Sequence, residues 1–264
     1  MNRRKTISIL GCGWLGLPLA SDLVKNDYRV KGSTTHIAKL STIRSLGIQP
    51  FLVNLDPEYK GEGHFMDSEI LLINLPPRNR SEDPDYHEKQ LRNLLRQVSK
   101  SPIDKVVFIS STSVYPNNGK EVSEGDASMN ATSRAGISLL AMEEIFRSDS
   151  NLKSTIIRFG GLYGPDRNPA RFFSGTNEIP GGENPVNMIH LDDAIGVIKE
   201  VIENDYWNYT FNACSPKHPS KITFYNQAAI DSGLNPPRFV MNTTPHKIVS
   251  SDFLIETTGY HFSH

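Results

Sequence analysis

The sequence has few cysteines, no excess of charge of either sign and no long apolar run. Its 264 residues include only 2 cysteines, Cys12 and Cys214, in no CxxC spacing, which excludes a disulfide framework and a thiolate zinc site. The 28 basic and 29 acidic residues nearly cancel, so no global field attracts nucleic acid or an anionic membrane. Apolar stretches fall short of the ~18 residues that suggest a membrane span. We therefore expect a folded cytoplasmic protein with a small-molecule partner and with neither a nucleic acid nor a membrane partner.

A glycine turn lies between a predicted strand at 6–10 and a predicted helix that runs to Asn26. In this GCGWLG sequence, Gly11 allows a tight turn, Gly13 allows backbone to approach a pyrophosphate, and Gly16 allows close helix–strand packing. The helix N-terminus would point its amides at phosphate. The context predicts dinucleotide binding, with a purely structural glycine turn as the alternative. The predicted pyrophosphate site comprises Gly11, Gly13, Trp14, Leu15 and Gly16.

Strand and helix patterns alternate along much of the remaining chain. Strands are predicted at 28–32, 50–53, 70–74, 105–109, 155–159 and 209–212, and helices at 37–46, 86–99, 137–146 and 194–203. This alternation predicts an α/β fold, a doubly wound parallel sheet of the NAD(P)-binding Rossmann type with a small C-terminal part. We expect a Rossmann core at 1–162 and a small substrate-binding part at 163–264, of which 186–212 returns to the core.

The residues after the second predicted strand bear on which dinucleotide is bound. An NAD site usually has a carboxylate about 20 residues beyond the glycines. This chain instead has Ser33, Thr34 and His36 there, with Lys39 nearby. Hydroxyls and cations suit a 2′-phosphate, so we expect NADP to be preferred over NAD, with a solvated loop as the alternative. Further cofactor contacts are predicted after the third and fourth strands, with turn capping as the alternative role: Asp56, Asn74, Leu75 and Pro76.

Four segments resemble, in order, motifs of extended short-chain dehydrogenase/reductases. FISSTSVYP at 108–116 resembles that family's SSxxVYG, RFGGLYGP at 158–165 resembles LRxxxxYGP, NMIHLDDA at 187–194 resembles FIHVDDxA, and TFN at 210–212 resembles a later YN strand. The glycine loop and the short C-terminal part are most similar to atypical members, the NAD-dependent epimerase/dehydratase-like proteins of the YeeZ type. The resemblance implies bound NAD(P) and a small carbonyl or nucleotide-sugar substrate.

The family's catalysis uses a Ser or Thr that holds the substrate oxygen and a Tyr-x-x-x-Lys pair that exchanges a proton. In that pair the ammonium lowers the pKa of the phenol. The resemblance places Ser111 at the hydroxyl position and Ser110 beside the cofactor. None of the 9 tyrosines is followed by a lysine four residues later, and Gly136 and Leu140 roughly occupy the places of the pair. Tyr163 is the best substitute, with a packing aromatic as its alternative role.

Candidate substrate contacts are one hydroxyl and three guanidinium groups. Thr112 follows the predicted catalytic serine, and Arg134 begins the helix in which the family carries its pair. Arg167 and Arg171 suit the diphosphate of a nucleotide sugar, because guanidinium groups match phosphate geometry. Solvated surface charge is the alternative for all three arginines.

The 8 histidines form no HExxH-type pair, so we expect no metal ion. His190 and Asp192 lie in a segment that is mainly a structural junction in relatives, and we expect that role here. Two functions remain open: an NAD(P)-dependent epimerase/dehydratase- or reductase-like enzyme, and a non-catalytic NADP(H)-binding regulatory or redox-sensing protein. A monomer or a homodimer is expected.

Overall fold

The computed structural model describes residues 5–75, 86–129 and 133–264. Its strands are β1 (Thr6–Leu10), β2 (Arg29–Thr34), β3 (Gln49–Leu55), β4 (Tyr59–Gly61), β5 (Ile70–Ile73), β6 (Lys105–Ser111), β7 (Glu121–Val122), β8 (Lys153–Phe159), β9 (Gly161–Tyr163), β10 (Met188–His190), β11 (Thr210–Ala213) and β12 (Ile248–Val249). Its helices are α1 (Gly16–Lys25), α2 (Leu40–Ser45), α3 (Tyr86–Val98), α4 (Arg134–Arg147), α5 (Leu191–Glu203), α6 (Lys221–Asp231) and α7 (Asp252–Thr258).

An eight-stranded sheet in the order β11-β8-β6-β5-β1-β2-β3-β4 dominates the fold. β1 pairs in parallel with β2 and β5, β2 with β3, and β5 with β6, whereas β4 joins β3 antiparallel. All four residues of β5 are fully buried, as expected for a parallel strand covered on both faces. The predicted α/β class with a mostly parallel sheet is confirmed.

The order of the strands reverses beside β1, since β5 lies on one side of it and β2 on the other. In open α/β sheets a ligand binds outside the carboxyl ends of the strands at such a switch point. The glycine turn follows β1, and Asn74 follows β5. The fold therefore brings two of the predicted cofactor segments to neighbouring strand ends.

The chain divides into two compact units. The first comprises Met1–Ser110, Ser138–Ile157 and Ile198–Thr210, and the second comprises Ser111–Ile137, Arg158–Val197 and Phe211–His264. The second unit contains the parallel strand pairs β9–β10 and β7–β12 together with α6 and α7. The division of the chain at residue 162 stays a prediction.

The observed elements differ from the expected ones mainly after residue 160. α6, α7 and the two short strand pairs have no counterpart among the predicted elements. The helix predicted at 37–46 consists of a 3₁₀ turn at Ile37–Lys39 followed by α2. Within the described ranges, no helix combines the length and the apolar character that crossing a membrane requires.

Candidate functional site

The glycine turn has two glycines that the protein's own packing requires. Gly11 has φ +107°, and a Cβ there would lie 2.3 Å from the backbone oxygen of Asn74. A Cβ on Gly16 would lie 2.1 Å from the backbone oxygen of Gly11. Gly13 differs from both, because it is exposed and a Cβ on it would meet no atom within 4 Å. The fold itself therefore gives no reason for a glycine at position 13.

Polar groups from the two flanking strands hold the glycine turn in place. The Gly11 amide donates to Oγ of Ser33 at 2.9 Å, and the Cys12 amide donates to the backbone oxygen of Ser33 at 2.9 Å. Nδ2 of Asn74 donates to the backbone oxygen of Gly11 at 3.1 Å. Ser33 is only 2% exposed, so its side chain supports the turn. Direct contact of Ser33 and Asn74 with a cofactor stays a prediction.

The loop after β2 presents an imidazole and an ammonium group to solvent. His36 and Lys39 are exposed, and the amide of His36 donates to Oγ1 of Thr34 at 3.1 Å. Lys31, by contrast, is buried and donates to the backbone oxygens of His64 and Asp67. The side chains available to an anion on this loop are therefore His36 and Lys39.

The remaining predicted cofactor residues lie at the ends of β1, β3, β5 and β6. Trp14 is half-buried and Leu15 is buried within the glycine turn. Asp56 is exposed and accepts a hydrogen bond from the hydroxyl of Tyr86. Leu75 is half-buried, and Pro76 lies outside the described residues. Every predicted cofactor residue that the structure describes belongs to the first unit.

Ser110 has a hydrogen bond with a buried carboxylate. Its Oγ donates to Oε1 of Glu143 at 2.6 Å, and Glu143 is fully buried. The guanidinium of Arg147 lies 3.1 Å from the other carboxylate oxygen. The Ser110 hydroxyl therefore connects β6 to α4, and its predicted cofactor contact stays a prediction.

All predicted catalytic and substrate-binding residues belong to the second unit. Ser111 is half-buried, and its Oγ accepts the amide of Ser113 at 3.2 Å. A hydroxyl that accepts a hydrogen bond retains its proton to donate to another oxygen. Thr112 is buried in the 3₁₀ turn that follows, whereas Arg134 is exposed at the start of α4. Of these residues, Ser111 best combines partial exposure with a hydroxyl proton to donate.

Tyr163 packs between two other rings. Its ring centroid lies 5.2 Å from that of His190 and 5.4 Å from that of Phe224, with edge-on geometry in both cases. Burial raises the pKa of its phenol above the ordinary value, and the carboxylate of Asp193 adds to the shift. A lysine in a Tyr-x-x-x-Lys pair has the opposite effect on a phenol. The surroundings of Tyr163 therefore favour its neutral phenol over the phenolate that a proton-accepting tyrosine needs.

A groove of about 450 Å³ borders Tyr163 in the second unit. The loop after β9 contributes Asn168 to its wall, and α6 contributes Phe224 and Gln227. Arg167 closes a tight turn beside it, because its backbone exchanges hydrogen bonds with that of Gly164 at 3.0 and 3.3 Å. The side chains of Arg167 and Arg171 are both exposed. The groove therefore has aromatic and amide groups in its wall, and both amides donate to other wall residues, Gln227 to Asp231 at 2.7 Å and Asn168 to Ser232.

Three of the four motif segments meet in a buried hydrogen-bond network that sequence reasoning missed. The hydroxyl of Tyr115 donates to Oδ1 of Asn212 at 2.7 Å and accepts from Arg158 at 2.7 Å. Arg158 also donates to the backbone oxygen of Glu124 at 3.1 Å. Burial raises the pKa of Tyr115 to about 12, despite the opposing effect of Arg158. These motif residues therefore have a structural role in the second unit.

The same unit contains a cluster of two imidazoles and a carboxylate. His190, Asp192 and His264 have ligand atoms within 4.8 Å of one another, and the two imidazole centroids are 3.9 Å apart. The spacing of histidines in the sequence gave no sign of this cluster, because His264 reaches it only through the folded C-terminal segment.

Comparison with known proteins identifies a family and similarities over nearly the whole chain. The sequence model of the NAD dependent epimerase/dehydratase family matches residues 74–190. Protein YeeZ of Escherichia coli strain K12 is 31% identical over 266 aligned positions, which cover 98% of this chain and 96% of that protein.

Solved structures extend the similarity to the fold. A UDP-glucuronic acid 4-epimerase from Bacillus cereus in complex with NAD has a TM-score of 0.79 at 19% identity, covering 98% of this chain and 94% of that chain. A short-chain dehydrogenase/reductase superfamily protein from Agrobacterium tumefaciens with bound NAD has a TM-score of 0.76 at 17% identity, covering 98% and 93%. At these identities the two structures show a shared Rossmann fold.

Proposed function

This chain belongs to the NAD dependent epimerase/dehydratase family, and from that premise we propose that it binds NADP(H), in preference to NAD(H), at the glycine turn. We propose further that it acts, as an epimerase/dehydratase- or reductase-like enzyme, on a small carbonyl compound or nucleotide sugar. When bound, the nicotinamide supplies the hydride donor or acceptor for such a reaction.

The observation that carries the proposal is the contrast among the three glycines. Gly11 and Gly16 avoid clashes within the chain, whereas a Cβ at Gly13 would meet no protein atom. A glycine that the protein does not need for its own packing fits a position where a pyrophosphate must approach the backbone. The first turn of α1 carries no acidic side chain, so no carboxylate opposes an anion at that helix N-terminus.

The preference for the 2′-phosphorylated cofactor is supported by the loop after β2. His36 and Lys39 are exposed there, and residues 33–39 include no acidic residue that would bind ribose hydroxyls. Hydrogen bonds to charged groups contribute about 1.5–3 kcal/mol, which corresponds to at least about tenfold in affinity. The ammonium of Lys39, together with the hydrogen-bonding imidazole of His36, would therefore favour NADPH over NADH.

Calorimetric titration with NADPH and NADH at one ionic strength tests this preference. We expect NADPH to bind at least about tenfold more tightly, and we expect Lys39→Ala to weaken NADPH binding severalfold while leaving NADH binding unchanged. Lys25→Ala, which removes an exposed lysine at the last turn of α1, should alter neither affinity. Equal dissociation constants for the two cofactors would contradict the preference.

The substrate part of the proposal is supported by the second unit. Ser111 has a hydroxyl proton to donate to a substrate oxygen, and the groove beside Tyr163 has room for a small organic molecule. Arg167 and Arg171 are exposed guanidinium groups that suit a diphosphate. A nucleotide sugar has a diphosphate that the two guanidinium groups could bind. It also has a hydroxyl-bearing carbon that can be oxidised to a carbonyl, whose oxygen the Ser111 hydroxyl could hold.

A second candidate function, a non-catalytic NADP(H)-binding protein, is favoured by the absence of the proton-transfer pair. Gly136 and Leu140 roughly occupy the places of the tyrosine and the lysine, and the pKa of Tyr163 is shifted in the wrong direction for a base. A panel of carbonyl compounds and nucleotide sugars, followed by absorbance of the reduced nicotinamide and by product mass spectrometry, separates the two functions. Turnover of a panel member supports the enzyme, and tight NADPH binding without turnover supports the binding protein.

A further inference from the structure

The His190–Asp192–His264 cluster joins residues that lie far apart in the sequence. His190 ends β10, Asp192 belongs to the first turn of α5, and His264 lies beyond α7. Oδ2 of Asp192 lies 3.5 Å from Nδ1 of His190 and 3.6 Å from Nε2 of His264. The carboxylate oxygen is thus almost equidistant from one nitrogen of each ring.

These distances are too long for direct hydrogen bonds and suit a shared cation. An N–H···O hydrogen bond spans about 2.7–3.2 Å between heavy atoms. Zinc bound tetrahedrally at about 2.0–2.2 Å keeps its ligand atoms roughly 3.3–3.6 Å apart. Both distances to Asp192 fall in that second range. All three ligand atoms lie within 4.8 Å of one another.

The C-terminal segment is fixed so that His264 faces His190. Asp193 is 1% exposed and accepts the amides of Ser263 at 2.8 Å and of His264 at 3.1 Å. The hydroxyl of Ser215 donates to the backbone oxygen of His264 at 2.8 Å. Because these bonds hold the backbone, the second imidazole is already in position before any ion binds.

Capping of α5 accounts for only part of this arrangement. The amide of Asp192 donates to Nδ1 of His190 at 3.3 Å, a long hydrogen bond at the start of the helix that an ion bound to the same Nδ1 lone pair would replace. That hydrogen bond does not explain why the imidazole of His264 packs next to the imidazole of His190. Two imidazoles with centroids 3.9 Å apart and planes tilted by 36°, beside one carboxylate oxygen, fit the role of ligands of the same ion.

We propose that His190, Asp192 and His264 bind a divalent transition-metal ion of the zinc class. Two imidazoles with one carboxylate favour zinc and its neighbours in the first row over magnesium or calcium, which prefer oxygen ligands. Three protein ligands leave a fourth tetrahedral position for water or for a ligand oxygen. The sequence pattern led us to expect no metal ion, and the folded C-terminal segment is what changes that expectation.

The proposed ion would lie beside the groove of the second unit. The ring of Tyr163, which lines the groove, contacts His190, and a Cβ on Gly164 would lie 3.1 Å from Nε2 of His190. His190 therefore contacts the groove lining with the Nε2 side of its ring, while its Nδ1 faces the carboxylate of Asp192. The metal proposal does not depend on the proposed oxidoreductase function, because it is argued only from the positions of the three ligand side chains.

Zinc binding to tag-free protein, stripped of metal with a chelator, tests the proposal. We expect calorimetric titration with Zn²⁺ to show one ion per chain. Asp192→Asn and His264→Gln should each weaken binding at least about tenfold, because each removes one of three ligands. His261→Gln is the matched control, since it removes an exposed histidine of the same segment that lies outside the cluster.

Circular dichroism of each variant distinguishes a loss of zinc binding from a loss of folded structure. We expect both variants to stay folded, because the Asp192 and His264 side chains are 68% and 42% exposed. Failure of the parent protein to bind Zn²⁺ stoichiometrically would overturn the proposal, as would parent-like affinity in both ligand variants. NADPH titration of the same variants should give unchanged affinity, so failure of the metal site and failure of the cofactor site are distinguishable.

Discussion

The hydroxyl of Ser110 donates a 2.6 Å hydrogen bond to the fully buried carboxylate of Glu143. This bond joins the end of β6 to α4. Arg147 lies 3.1 Å from the second oxygen of the same carboxylate. A buried carboxylate with both of its oxygens engaged stabilises the fold only while its partners are present.

We therefore expect Glu143→Gln to lower the free energy of unfolding by about 1–3 kcal/mol, because a glutamine amide cannot accept from both partners. Glu144→Gln is the matched control. Its exposed carboxylate also contacts Arg147, at 3.2 Å, and its loss should change stability by less than about 1 kcal/mol. Urea denaturation at pH 7 measures both changes, and equal effects of the two substitutions would contradict a specific role for the buried carboxylate.

Two substitutions in the glycine turn should separate an effect on cofactor binding from an effect on protein stability. Gly13→Val should leave the free energy of unfolding nearly unchanged, because the added Cβ meets no protein atom, but it should weaken NADPH binding at least tenfold. Gly16→Ala should instead destabilise the protein by about 1–3 kcal/mol, because its Cβ would lie 2.1 Å from the backbone oxygen of Gly11. Thermal denaturation and NADPH calorimetry on both variants give the comparison. Parent-like NADPH affinity in Gly13→Val would remove the basis for the predicted site.

Most of the sheet could be predicted because its local signals are strong. The run at 70–73 is four apolar residues in succession, all buried, and the run at 6–10 is a short β-branched and aliphatic stretch that leads directly into a glycine turn. The motif segments identified the family for the same reason, since each is a short local pattern. The family and the mostly parallel sheet are both confirmed.

What could not be predicted depends on contacts between distant segments. α6 begins at a cap formed by Ser220, but the neighbouring prolines gave this region the composition of a loop. The pairing of β9 with β10 rests on three residues in each strand, too few for a recognisable period. His264 approaches His190 only because the buried carboxylate of Asp193 binds the amides of the last residues. No pattern within either sequence segment predicts that the two histidines are close in space.

The phenol of Tyr115 should make stability depend on pH above pH 10. Its pKa is raised by burial from 10.0 to about 12 in the folded protein, whereas the unfolded chain ionises near the ordinary value. The stability that the neutral phenol contributes is therefore complete below pH 10 and is lost as the pH rises toward 12. A shift of this size corresponds to about 2–3 kcal/mol.

Tyr115→Phe tests this linkage. At pH 8 we expect a loss of about 1–3 kcal/mol, because Asn212 and Arg158 lose their shared hydroxyl partner. Between pH 10 and 12 the parent protein should lose stability more steeply than the variant, which has no phenol to ionise. Urea denaturation at pH 8, 10 and 11.5 measures the slopes. Parallel pH profiles for parent and variant would show that Tyr115 ionises equally easily in both states.

Ser111 provides the clearest test of chemistry, because it follows Ser110 on β6 and side chains of successive strand residues point to opposite faces. Ser110 Oγ donates to Glu143, so of these two serines we predict that Ser111 holds the reacting oxygen. On a substrate identified from the panel, Ser111→Ala should lower kcat/KM by about 10²-fold or more, because the bond strengthens as charge develops on that oxygen.

The dissociation constant for NADPH should stay within about twofold in Ser111→Ala, since Ser111 is not among the predicted cofactor contacts and its side chain points to the face opposite that of Ser110. Ser113→Ala, which changes an exposed hydroxyl two residues further along, is the matched control and should retain parent-like turnover. Even in the parent protein, turnover should be slow by family standards, because a positioned proton-transfer group contributes about 10²–10⁴ in rate and the Tyr-x-x-x-Lys pair is missing. If Ser111→Ala turned over substrate as fast as Ser113→Ala, the reacting oxygen would have to be held by a different group.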